Sequence, residues 1–190
     1  MTDTRTLRAD AQQNHDRILE AAAAAFAREG ADTSLKAIAQ EAGVGIGTLY
    51  RRFPTREDLI EATYRDQTAR LCRQADALLE KTAASHALRQ WMDGFVDYMT
   101  TKHGMVEALP RILAAREGLR GSSRDLLRTA IATLLGAGIA DGALRDDVAA
   151  DDVMMALGGI TLITENERDL ELAARLLDLL MAGLRAESAG

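Results

Sequence analysis

Apolar residues return every third or fourth position along most of this chain, and each stretch of that rhythm predicts a helix. The polar run 1–13 lacks it and reads as a flexible arm. Over 14–29, Ile18, Ala22 and Phe26 fall on one stripe, and Gly30 ends the helix. The stretch TSLKAIAQEAGVGIGTLYRRFPTR, from Thr33 to Arg56, predicts two short helices joined by a tight turn. Thr33 or Ser34 can cap the first, and Leu35, Ile38, Ala39 and Ala42 form its apolar face. Gly43 can end it in the left-handed conformation, with Val44 expected as a buried turn residue. In the second, Leu49 and Phe53 point to the core, and Pro54 stops it after Arg52.

From Thr55 to about Lys81 the pattern predicts one long helix, capped by Thr55, with Ile60, Tyr64, Leu71, Ala75 and Leu78 on its stripe. The next runs from His86 to His103, where Leu88, Trp91, Met92, Phe95 and Met99 make a broad apolar face and Gly104 ends it. Pro110 sits near the start of a helix reaching Glu117. Ser122 or Ser123 is expected to cap another through Ile139, with Leu126, Leu127, Ile131, Leu134 and Leu135 inside. A polar connection over 143–150 leads to two last helices, at 151–164 and 166–184. These two are apolar on more than one side, which is more than a short helix pair buries within its own chain. A second copy can cover the surplus in a four-helix bundle. The interface set is Met154, Leu157, Gly158, Thr161, Leu176, Leu180 and Leu184, with packing wholly inside one chain as the alternative.

Composition narrows the class. Of the 190 residues, 47% are hydrophobic but only 4% aromatic, and 2 are Pro, which is an all-α composition. No apolar run approaches the ~20 residues that span a bilayer, and the N-terminal residues carry no apolar signal core. The single cysteine, Cys72, excludes an internal disulfide; it reads as a small core residue, with redox sensing the alternative. The expected protein is soluble, cytoplasmic and without a membrane partner.

The net charge of −6 opposes nucleic-acid binding only if charge is averaged over the chain. Phosphate attraction is local, fading within a Debye length of about 8–10 Å. Between Asp32 and Arg56 the cations Lys36, Arg51, Arg52 and Arg56 outnumber the acids Asp32 and Glu41, and Arg5 and Arg8 could add to that face. On the second short helix Thr48, Tyr50, Arg51 and Arg52 are left to face outward. Hydroxyl, phenol and guanidinium groups on a short helix after a tight turn suit a recognition helix in a DNA major groove. A helical hairpin with a solvated basic face fits the same spacing.

The wording of the stretch goes further. Ile18, Leu19, Ala21, Ala22, Phe26, Gly30, Ser34, Ile38-Ala39, Ala42-Gly43-Val44, Gly47-Thr48-Leu49-Tyr50, Phe53, Arg56-Glu57 and Leu59 together closely resemble the N-terminal DNA-binding domain of the tetracycline-repressor (TetR) family. The resemblance covers about residues 14–60. It departs at Gly45, where Ser is usual, at Ala37, where an acid is usual, and at Arg56, where Lys is usual. Gly45 removes a phosphate-binding hydroxyl and loosens the start of the helix.

What the resemblance implies is an all-α fold: a three-helix helix-turn-helix domain at 14–60, joined by a long connector helix to a ligand-binding and dimerisation domain at 61–190. The expected DNA contacts are Ser34, Lys36, Gly45, Ile46, Gly47, Thr48, Tyr50, Arg51, Arg52 and Arg56. The implied function is a homodimeric regulator, a repressor released from a pseudo-palindromic DNA operator by a small-molecule effector. Tyr64, Trp91, Phe95, Tyr98, Met99, Met105, Ile112 and Arg116 are the candidate effector contacts, because aromatics and Met line adaptable apolar pockets; each also suits a plain core or surface role. No cofactor or metal is expected. His15 reads as a surface residue; it, His86 and His103 are each isolated from a second ligand at helical spacing, except His103 with Glu107, and no nucleophile motif or Gly-rich phosphate loop is present. An enzyme is disfavoured on that ground. A module that keeps this fold without regulating transcription is the other competitor.

Overall fold

The computed structural model describes residues 3–115, 118–165 and 169–186. Among them the chain forms nine helices: α1 (Asp3–Glu29), α2 (Leu35–Glu41), α3 (Ile46–Arg52), α4 (Arg56–Leu79), α5 (Ala84–Gly104), α6 (Leu109–Ala115), α7 (Leu119–Ala140), α8 (Ala150–Glu165) and α9 (Leu170–Leu184). No strand longer than an isolated bridge occurs among the described residues. The all-α expectation holds. Two compact units divide the chain, one of 1–67 with 101–117, the other of 68–100 with 118–190. The division falls inside α4, and α6 belongs with the N-terminal unit.

In the first unit, α1 begins at Asp3, so the arm expected to be flexible over 1–13 is helical from that residue on. No Gly or Pro interrupts 3–29, and Ala21–Ala25 is a run of the strongest helix former, so nothing in the polar N-terminal stretch stops a helix once formed. The side chains of Arg5 and Arg8 lie outside the described set. Ile18, Phe26, Ile38, Leu49, Leu59 and Ile60 are fully buried and form the unit's core, each contributing about 1.5–3 kcal/mol relative to exposure.

Neither hydroxyl expected to cap α2 does so. Ser34 holds the N-cap position without a side-chain hydrogen bond, and the buried Thr33 hydroxyl donates to Gly30 O at 2.8 Å instead. α4 is capped as expected, by a reciprocal pair: Asp58 N donates to Thr55 Oγ1 and Thr55 N to Asp58 Oδ2, each at 3.1 Å. At the end of α5, a Cβ on Gly104 would lie 2.0 Å from Phe26 O and 2.5 Å from Phe26 C. The last turn of α5 therefore rests on the α1 backbone itself, an approach that only glycine permits.

In the second unit α4 packs against α5. Trp91 is completely buried, and its indole Nε1–H donates to Leu71 O at 2.8 Å. Phe95 contacts the rings of both Trp91 and Tyr98, and Thr68 Oγ1 lies 3.3 Å from the Tyr98 hydroxyl. Arg89 braces α5 to α9 through Asp178 Oδ1 at 2.8 Å. Cys72 is half-buried, and burial pushes its thiol up to about 11. A thiol so hard to ionise is a poor redox sensor.

Three expectations here need correction. α7 starts at Leu119 after Gly118, not at Ser122 or Ser123; Ser122 lies inside the helix and donates to Gly118 O at 2.9 Å. Leu126 is exposed, while Leu127, one position on, takes the inward side. The connection at 143–150 is pinned rather than merely polar: Leu144 is buried, Arg145 N donates to Leu184 O at 3.0 Å, and Ala186 N donates to Ala143 O at 3.1 Å.

Candidate nucleic-acid interface

The turn between α2 and α3 is built by backbone. Gly43 has φ +66, and Gly43 N and Val44 N return to Gln40 O and Ala39 O at 3.1 and 2.9 Å. A side chain would be strained at that φ, which is why glycine stands there. Val44 is half-buried rather than buried. Gly45 is the N-cap of α3 in extended backbone, and Thr48 N donates to its carbonyl at 2.8 Å. Nothing lies within 4 Å of a Cβ built on Gly45 or Gly47, so both stand clear.

Leu49 is fully buried and Phe53 nearly so. That anchors one side of α3 and fixes what the other presents. Ile46, Gly47, Tyr50, Arg51 and Arg52 are exposed and Thr48 is half-buried; Tyr50 retains 49% of its surface. On α2, Ser34 and Lys36 are exposed as well. Arg51 lies along its own helix, with Nε on Gly47 O and Nη2 on Thr48 Oγ1, both at 3.2 Å. Arg52 Nε donates to His15 Nδ1 at 3.1 Å.

Arg56 behaves differently from the other expected contacts. It is half-buried, and Nη1 donates to Ala31 O at 2.6 Å and Thr33 O at 2.7 Å. Its guanidinium clamps the α1–α2 connection, so its charge is directed into the fold. Glu41, the acid on α2, is paired with Arg28 at 2.9 Å, whose hydrogen bond holds the carboxyl below its ordinary range. The result is an outward face on which Lys36, Arg51 and Arg52 supply exposed positive charge while the nearest α2 carboxylate is compensated.

Three α1 residues belong to this picture and were not among the expected contacts: His15, Arg17 and Arg28. Arg17 Nη1 stands 3.6 Å from the Cβ position of Gly43, beside the turn, and its guanidinium also bonds Asn14 Oδ1. His15, expected as a surface residue, is half-buried and stacks on Phe53. It lies three residues before Ile18, one turn ahead on the same buried stripe, and that spacing is its only signal in the sequence.

The candidate effector contacts fall in both units. Tyr64, Met105 and Ile112 are buried in the first unit; Trp91, Phe95 and Tyr98 are buried and Met99 half-buried in the second. Arg116 lies outside the described residues. A groove of about 520 Å³ runs between α8 and α9, lined by Val153, Ala156, Ile160, Leu176, Leu179 and Leu180 among others.

The expected dimer contacts also divide. Met154, Leu157, Thr161 and Leu184 are buried within the chain, and the Thr161 hydroxyl donates to Leu157 O at 3.1 Å. Gly158, Leu176 and Leu180 are half-buried. The bare apolar side chains are others: Met155 (65% exposed), Leu162 (64%), Ile163 (63%) and Leu179 (69%). α8 is apolar nearly all round, and a phase shift of one residue, about 100° on a helix, exchanges inner positions for outer ones.

Comparison with known proteins agrees with this geometry. Residues 18–63 match the domain of bacterial regulatory proteins of the tetR family, and residues 83–186 match the SbtR-like transcriptional regulator C-terminal domain. A TetR transcriptional regulator from Streptomyces coelicolor is 46% identical with a TM-score of 0.86, covering 91% of this chain and 99% of that one. A TetR transcription regulatory protein from Mycobacterium vanbaalenii is 31% identical with a TM-score of 0.77, covering 95% and 99%. An HTH-type transcriptional regulator of Staphylococcus aureus is 46% identical over 54 residues, a match covering only 28% of this chain and 29% of that relative. The chain therefore belongs to the TetR family of transcriptional regulators, non-enzymatic proteins that bind DNA through a helix-turn-helix.

Proposed function

We propose that the protein is a homodimeric, effector-responsive repressor that binds a pseudo-palindromic operator with one α3 from each copy. The exposed apolar face of α8 and α9 carries this reading. Met155, Leu162 and Leu179 are each more than three-fifths exposed, and a second copy laid on them forms a four-helix bundle. Two-fold pairing sets the two α3 helices about 34–36 Å apart, one turn of DNA. The DNA contacts are Ser34, Lys36, Gly45, Ile46, Gly47, Thr48, Tyr50, Arg51 and Arg52. Gly158, Leu176 and Leu180 border the exposed strip and complete the interface.

The effector acts on the second unit, whose α4 segment continues into the DNA-binding unit as one unbroken helix. The Trp91–Phe95–Tyr98 cluster packs on that segment, and its hydrogen bonds to Leu71 and Thr68 link the cluster directly to α4. A ligand that repacks these rings pulls on α4. A coupling of about 1–3 kcal/mol changes operator affinity about 5–150-fold.

Half-site spacing tests the dimeric reading. Binding to a selected palindrome is expected to collapse when about five base pairs are inserted between the half-sites, turning them to opposite faces of the duplex. Undiminished affinity for the lengthened site would contradict it.

A further inference from the structure

Arg52 lies on the outward side of α3, and a single atom of α1 holds it. Its Nε–H donates to His15 Nδ1 at 3.1 Å. An arginine Nε always carries its hydrogen, so this bond needs the Nδ1 lone pair, and hence a neutral ring with its proton on Nε2. The ring is itself held, stacked on Phe53 with centroids 5.3 Å apart and planes at 24°. Phe53 is buried at the end of α3, so this support is rigid. Anchoring Nε leaves both Nη groups of Arg52 to form a fork toward a phosphate or a base edge. Ordering that fork before DNA arrives removes part of the side-chain entropy that binding would otherwise cost.

We propose that His15 is a positioning residue of the DNA interface: neutral, it presets the Arg52 guanidinium for DNA, and protonated, it releases it. The proposal rests on the reading that Arg52 contacts DNA. A proton on Nδ1 would turn the acceptor into a donor facing another donor, and would set a cation beside a cation. The charged groups around the ring are Arg52 on α3, Asp66 on α4 and Asp16 on α1. Burial, then Arg52, lowers the His15 pKa below the ordinary 6.5; Asp16 and Asp66 pull the other way without reversing the direction. The neutral ring is thus the resting form at pH 7, and it is lost as pH falls below that ordinary value.

Two substitutions separate the ring from its acceptor. His15→Phe keeps a stacking ring and removes the acceptor. His15→Gln keeps an acceptor oxygen that does not titrate. Affinity would be measured from pH 8 to pH 5.5 at fixed salt, on a labelled duplex carrying the sequence selected by the unmodified protein. At pH 8, His15→Phe is expected to bind about three- to tenfold more weakly, by loss of a hydrogen bond to a charged group, and His15→Gln to stay within about twofold. As pH falls, the unmodified protein should lose affinity more steeply than His15→Gln. With Arg52→Ala in place, His15→Phe should have no further effect.

Parallel pH profiles for the unmodified protein and His15→Gln would overturn the proposal. So would a relative gain in affinity at low pH, which would make His15 a phosphate-binding cation. If Arg52→Ala binds as tightly as the unmodified protein, the assignment of Arg52 to DNA is what fails. Circular dichroism at each pH shows whether a variant is folded; should His15→Phe not fold, the His15→Gln profile decides alone.

Discussion

The helices α1–α3 and the pair α8–α9 solve the same problem in opposite ways. Among the described side chains of α1–α3 nearly every large apolar one is buried, with Ile46 a partial exception, and what remains outside is glycine and polar or charged groups. In α8–α9 the inward side is as well packed, with Leu157, Leu177 and Leu184 buried, yet Met155, Leu162, Ile163 and Leu179 stand bare. A polar exterior is compatible with water and with DNA phosphates. A bare apolar strip is stable only when covered. The first region is finished as a single chain; in the proposed dimer the second is completed by its copy.

That contrast can be broken by charging the strip. Leu162→Glu with Leu179→Glu is expected to give a folded monomer in sedimentation. It should lower operator affinity at least about 100-fold, because the two reading heads are no longer joined. A dimer of unchanged affinity would place the interface elsewhere.

The buried side of the contrast is tested by Trp91→Ala, which deletes the largest fully buried side chain and its bond to Leu71 O. About 3–5 kcal/mol of stability should be lost in urea titration; a loss under 1 kcal/mol would mean that the cluster is already loose enough to admit a ligand. Gly104→Ala follows. A methyl 2.0 Å from Phe26 O cannot be accommodated without moving α5 or α1, at a cost of about 1–3 kcal/mol.

At the reading head, Gly45→Ser should be almost neutral for stability, a few tenths of a kcal/mol, since a Cβ there meets open space. It restores a phosphate-binding hydroxyl, so operator affinity should rise, measured by titration at fixed salt. A fall would mean that a side chain at this position obstructs DNA.

The smallest expected effect is on stability against pH. His15 has a folded-state pKa below its ordinary value, burial being the first cause. The folded state therefore favours the neutral ring. Its contribution is fully present above about pH 6.5 and is lost as pH falls through the lower folded value. Thermal midpoints between pH 7.5 and 5.5 should fall more for the unmodified protein than for His15→Gln.

Much of this was legible in the residues, and the limits have physical causes. The turn at Gly43 and the burial of Leu49 and Phe53 follow from short-range rules that operate within a few residues. So does the Thr55 cap, since its partner is only three positions away. What spacing could not supply were contacts between distant stretches. The clamp of Arg56 on Ala31 and Thr33, the hold of His15 on Arg52 and the seat of Gly104 on Phe26 each join residues at least 23 apart. The dimer strip illustrates a different limit. On a helix as apolar as α8, periodicity shows a surplus of apolar surface but not which positions the chain itself buries, so the buried Met154 and Leu157 could not be told from the exposed Met155 and Leu162. The Asp169 cap of α9, bonded to Leu172 N at 2.7 Å, stands three residues after the expected start at 166, a position outside the described residues.

The central claim is that α3 reads DNA from a paired molecule, and selection of duplexes from a random pool by the purified protein tests it most directly, with Tyr50→Ala beside it. Tyr50 is half-exposed, so its truncation should leave stability within about 0.5 kcal/mol and the dimer intact. The expected result is a palindrome enriched by the unmodified protein and lost with Tyr50→Ala. Equal enrichment by both, or no enrichment by a folded dimer, would contradict the account.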